Sequence, residues 1–116
     1  MKAIRLLLAV GLLLLVQPGL SRCLTSDAKA FEAFVASHKP DKIIFFASWC
    51  SGCVDHIKTA SANSVFVATF DDKDTASSAL SSLTGNTDKR RCFFDGKGEI
   101  SKAYGVTDLP FAKTLP

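Results

Sequence analysis

The chain lacks the signatures of several common chemistries. It has no glycine-rich phosphate loop, and its scattered serines sit in no nucleophile elbow, so nucleotide binding and serine hydrolysis have no residues to act through. Asp71-Asp72-Lys73-Asp74 opens like a calcium loop but has no glycine at the sixth position and no glutamate at the last. There is no internal repeat and no interdomain linker, and 116 residues suffice for one domain. Charge of one sign is also scarce. The formal net charge is +3, and it falls to +1 if the two N-terminal basic residues Lys2 and Arg5 are removed. Such near-neutrality gives no electrostatic case for nucleic acid or an acidic membrane face. The short run Lys89-Arg90-Arg91 reads as a solvated loop.

A long apolar run is missing too. Leu6 to Val16 spans about eleven residues, against the 18 or more expected of a membrane-crossing helix. Lys2 and Arg5 precede it, Gln17-Pro18-Gly19 breaks it, and Gly19 and Ser21 supply the small residues of a cleavage site. Residues 1–21 therefore read as a secretory signal peptide and residues 22–116 as a single exported domain, periplasmic or secreted. The rival readings are an uncleaved membrane anchor and a lipidated Cys23, for which Arg22 is a poor neighbour.

What is present is concentrated in Trp49-Cys50-Ser51-Gly52-Cys53. The preceding run, Ile43-Ile44-Phe45-Phe46-Ala47, is too short for a helix and suits a buried strand. A helix is expected from Cys50 to about Ala62. A Cys-x-x-Cys pair where a strand turns into a helix suits thiol–disulfide exchange. Unpaired N–H groups at the helix start favour a thiolate at Cys50, and Cys53 lies within reach to resolve a mixed disulfide. Export leads to an oxidising compartment, where disulfides persist. Four cysteines allow three connectivities; close spacing argues for Cys50–Cys53, and Cys23 and Cys92 remain a structural bridge, free thiols or unrelated.

The rest of the chain alternates helices with short strands. Ser26-Asp27 caps a helix through about His38, ended by Pro40, with Phe31, Phe34 and Val35 as its apolar stripe. Lys42–Ala47 and Val65–Phe70 are strands. Asp71–Asp74 is a polar turn and cap, leading into an amphipathic helix over Thr75–Leu83 that stops at Gly85-Asn86. Arg91–Phe94 is a third strand, Asp95–Gly98 a turn, and Glu99–Tyr104 a short helix. The pattern predicts an α/β sheet covered on both faces.

Three segments carry a family resemblance: Phe45–Cys53, Val65–Asp71, and Phe94–Pro110 with its Asp95-Gly96 turn, Tyr104-Gly105-Val106 and proline loop. Through them the chain resembles thioredoxin-like proteins, closest to the exported TlpA/ResA-type thiol–disulfide oxidoreductases. The resemblance implies a three-layer α/β/α thioredoxin-like fold. It implies Cys50 as the attacking and Cys53 as the resolving catalytic thiol of a redox-active disulfide. Trp49, Leu109 and Pro110 would contact substrate, with Pro110 matching the family's cis-proline. It implies protein thiol or disulfide substrates, a membrane thiol reductase as electron donor, and reduction as the direction. No cofactor and no metal are expected.

The departures from the family are informative. Gly52 stands where proline is frequent, and Ile44 stands where thioredoxins carry a buried acid. Asp55 reads as a helix-surface residue, whereas His56, three residues after Cys53, could tune the pair. After the proline loop only Phe111–Pro116 remains, enough for one short strand, so the C-terminal strands and helix of the family are expected to be missing or reduced. An open sheet of this kind is expected to leave apolar surface uncovered. Two other functions compete with redox catalysis. One is a non-catalytic, truncated partner-binding protein. The other is a zinc module using Cys50, Cys53, His56 and Cys92, whose spacing is not that of a finger or ribbon.

Overall fold

A computed structural model describes residues 22–116. The signal segment expected over residues 1–21 lies outside the described residues. The described elements run β1 (Cys23–Thr25), α1 (Ala28–His38), β2 (Lys42–Phe46), α2 (Cys53–Lys58), β3 (Ser64–Thr69), α3 (Lys73–Thr84), β4 (Cys92–Asp95), α4 (Glu99–Ala103) and β5 (Phe111–Thr114). The strands form one mixed sheet in the order β1-β4-β3-β2-β5, parallel throughout except for antiparallel β5.

Successive residues of a strand face opposite sides, and here both sides are buried. Ile44, Phe46, Phe66 and Ala68 point to one face, where Ile57 of α2 and Ala76 and Leu80 of α3 cover them. Ile43, Phe45, Val65 and Val67 point to the other, under Phe31 of α1 and Ile100 of α4. This is the covered α/β sheet expected from the alternating pattern. It explains why β2 and β3 read as continuous apolar runs rather than as alternating ones.

Local chemistry sets the helix ends as expected at three points. Asp27 accepts from Ala30 N–H at 2.7 Å to start α1, and Asp72 accepts from Thr75 N–H at 3.1 Å to start α3. Gly85, at φ +92°, ends α3. Beyond α4 the chain makes a Schellman turn. Val106 N–H donates to Ser101 O and Gly105 N–H to Lys102 O, with Gly105 at φ +69°. Tyr104-Gly105-Val106 is therefore a helix stop, and it turns the chain toward the proline loop.

Four expectations change. The helix after the cysteines is shorter than Cys50–Ala62: residues 48–52 form tight turns, in which Cys53 N–H donates to Cys50 O and Val54 N–H to Ser51 O. At its other end Thr59 Oγ1–H bonds Asp55 O. Residues 23–25, unassigned from sequence, make an edge strand. Arg90 is half-buried rather than a free loop residue. It is held to Asp88, donates to Ala60 O at 3.0 Å and lies over the Phe66 ring. The C-terminal segment also leaves little apolar surface uncovered, because Phe111 and Leu115 pack on the second cluster and Ala112 on the first.

Candidate active site

The site lies at the C-terminal end of β2. Because β2 and β3 are adjacent and parallel, the same sheet edge also receives the turn that follows β3. Ile44 and Phe46 anchor the strand in the first apolar cluster, and that cluster includes both Cys50 and Cys53. Cys50 N–H donates to Ala47 O, which bends the chain out of the strand so that the two cysteines face each other.

Cys50 and Cys53 are joined in a disulfide with a Cα–Cα distance of 5.4 Å. Their environments differ. Cys50 is 7% exposed and Cys53 only 1%. Cys50 is thus the slightly more accessible of the two, and both belong to the buried cluster that holds Ile44, Phe46 and Ile57. The Cys53 sulfur lies 3.9 Å from Phe45 O. Ile44, in the same apolar cluster as Cys53, is 1% exposed, so no acid stands at that position.

The opposing wall is the proline loop. The Leu109–Pro110 bond is cis. A β-carbon added to Gly52 would stand 3.3 Å from Pro110 Cδ, so the proline ring lies directly against the turn between the cysteines. Gly52 itself has φ −68°, a value that proline shares, so here its lack of a side chain matters more than its freedom. Pro110 is exposed, and Leu109 packs on both apolar clusters, which ties the loop to the body of the domain.

The side wall joins Trp49, expected at the site, to Phe70 and Asp71, which were not singled out as site residues. Trp49 is 62% exposed, and its indole N–H donates to Phe70 O at 2.9 Å. Ser48 N–H donates to Asp71 Oδ2 at 2.5 Å, while Asp72 N–H donates to Asp71 Oδ1 at 2.7 Å. The turn after β3 is thus tied at two points to the residues just before Cys50. Phe70 has φ +56°, a left-handed conformation that costs a non-glycine residue about 1–2 kcal/mol.

Of the residues singled out from sequence, Trp49, Cys50, Cys53, Leu109 and Pro110 come together. His56 and Asp55 do not join them. Both are exposed, and neither side chain is hydrogen-bonded to a described cysteine. The four residues of the zinc alternative do not converge either. Cys92 is bonded to Cys23, and no group of three or more His, Cys, Asp or Glu residues placed to hold a metal occurs among the described residues.

The second disulfide, Cys23–Cys92, joins directly opposed residues of β1 and β4. Both cysteines are buried, at 0% and 3% exposure. Beside them Arg22 donates to Thr84 Oγ1 and Arg90 O and lies 3.4 Å from the Asp88 carboxylate. Hydrogen bonds from Arg90 above all hold the Asp88 carboxyl down to about 2.

Comparison with protein-family models and with curated proteins finds no match to this chain.

Proposed function

We propose that the chain is a thioredoxin-like thiol–disulfide oxidoreductase of TlpA/ResA type, acting through Cys50 and Cys53. The observation that carries this reading is the Cys50–Cys53 disulfide at a strand end, with Cys50 at 7% exposure, Cys53 at 1%, and Pro110 against Gly52. The reaction balances without a cofactor. Starting from the dithiol, Cys50 thiolate attacks a substrate disulfide. A Cys50–substrate bond forms, the substrate bond breaks, and one substrate thiolate leaves and takes up a proton. Cys53 thiolate then attacks the Cys50 sulfur, re-forming Cys50–Cys53 and releasing the second substrate thiol. The two electrons lost by the cysteine pair reduce the substrate, and an external dithiol restores them.

In this reading Trp49, Leu109 and Pro110 border the path to Cys50, and protein disulfides are the substrates. An exported location fits the buried Cys23–Cys92 bond, since structural disulfides persist in oxidising compartments. A membrane thiol reductase is then the electron source. No helix among the described residues is long and apolar enough to cross a membrane.

The test is turnover of insulin disulfides with dithiothreitol as regenerating reductant. The expected result is acceleration over dithiothreitol alone. Cys50→Ser abolishes it, and Cys53→Ser accumulates a mixed disulfide at Cys50. A wild-type protein that gives no acceleration contradicts the reading and leaves non-catalytic partner binding in its place.

A further inference from the structure

We infer that Phe70 is a substrate-positioning residue, forming with Trp49 an aromatic lip that holds an apolar side chain next to the cysteine of a polypeptide substrate. This rests on the proposed oxidoreductase reading and adds the kind of segment that the site selects.

Folding does not account for Phe70. It is 46% exposed and belongs to neither apolar cluster, so its ring contributes little to the core. Its backbone is left-handed, where glycine or asparagine would sit at lower cost. Exposure and strain both count against this residue for stability. Backbone outliers that persist despite such costs cluster at ligand-contacting sites.

Its placement supplies a use. Among the described residues the large exposed apolar side chains are Leu24, Trp49 and Phe70, and two of these three border the active turn. The Trp49 indole N–H is hydrogen-bonded to the Phe70 carbonyl, which holds the indole against the Phe70 main chain. Asp71 clamps the same corner through Ser48 N–H and Asp72 N–H. That carboxylate is occupied by main-chain donors, while both aromatic side chains are exposed. A polypeptide whose disulfide reaches Cys50 must run past residue 49 on one side and Pro110 on the other. The residue flanking its cysteine then meets the Trp49–Phe70 pair, and an aromatic or large aliphatic group gains most there.

The experiment compares two short cyclic disulfide peptides that differ only in the residue beside one cysteine, phenylalanine or serine. Each is reduced by wild type, Phe70→Gly, Phe70→Ser and Phe70→Tyr. Wild type is expected to prefer the phenylalanine peptide through KM, and Phe70→Gly is expected to shrink that preference about three- to tenfold. Phe70→Tyr keeps it. The thermal midpoint of Phe70→Gly is expected to equal or exceed that of wild type, which a structural role for the ring would not allow. Phe70→Ser guards against an effect of glycine flexibility alone. If both peptides are turned over and the preference survives Phe70→Gly, the lip is wrong and the oxidoreductase reading stands. If wild type reduces neither peptide nor hydroxyethyl disulfide, the oxidoreductase reading falls and the lip falls with it.

Discussion

Replacing the Cys23–Cys92 bond by Cys23→Ala/Cys92→Ala is expected to cost far more stability than removing the Cys50–Cys53 bond by Cys50→Ala/Cys53→Ala. The first bond closes a sequence separation of 69 and the second a separation of 3. Loop-closure entropy in the unfolded chain gives about 4 kcal/mol for the long loop and about 2 kcal/mol for the short one. Cys23 is fully buried and fixes a strand of three residues, β1. Without the bond, β1 keeps its ladder to β4, the Cys23 N–H bond to Ser77 Oγ, the Ser26 N–H bond to Phe94 O and the Arg22–Asp88 contact. A domain of this size has a net stability of roughly 5–15 kcal/mol, so 4 kcal/mol lowers the thermal midpoint by roughly 15–30 °C. Equilibrium urea unfolding of the oxidised proteins, followed by far-ultraviolet circular dichroism, reads both costs on one scale. A Cys23/Cys92 variant that loses no more than the Cys50/Cys53 variant would refute the division into one structural and one reactive disulfide.

Other outcomes follow from the polar contacts. The Asp88 carboxyl, held at about 2, lies below its unfolded value, so its stabilising effect is full above the ordinary carboxylate range and is lost as pH falls from about 4 toward 2. The whole shift is worth at most about 2 kcal/mol, and solvent screening reduces this to about 1 kcal/mol. Asp88→Asn should remove that part of the acid limb in melts between pH 6 and 2; an unchanged limb would contradict the Arg22–Asp88–Arg90 cluster. Asp71→Ala frees Ser48 N–H and Asp72 N–H. It is expected to cost about 1–2 kcal/mol and to slow insulin turnover, read by urea unfolding and the turnover assay together. Loss of stability with full turnover would show that the corner does not position the site.

Much of this molecule was legible because its signals are local. Asp27 and Asp72 act as caps, Gly85 as a stop, and the Cys50–Cys53 spacing as a pair, each within a few residues of its partner. What escaped depends on distant partners. β1 is three residues long, too short to show a period, and exists through pairing with β4 in register Cys23–Cys92. The same register decides the second disulfide, which four cysteines alone could not. Asp95 read as a turn residue. It is buried and accepts from Ile100 N–H, Ser101 N–H and Thr69 Oγ1–H, which joins β3, β4 and α4. Phe70 and Asp71 carry no motif. Their position at the site comes from the parallel β2–β3 pairing, which brings both strand ends to one edge. The helix after Cys53 was overestimated because the compatible residues Thr59 to Ala62 gave no stop signal as strong as glycine or proline.

The central claim is that Cys50 and Cys53 form a reactive pair beside an inert Cys23–Cys92 bond. Its most direct test is a redox titration of the native protein with mass-tagging of free thiols. The account predicts that Cys50 and Cys53 gain tags together in one two-electron step, while Cys23 and Cys92 stay untagged until the protein unfolds. Tags appearing first on Cys23 and Cys92, or a disulfide linking Cys50 or Cys53 to either of them, would contradict it.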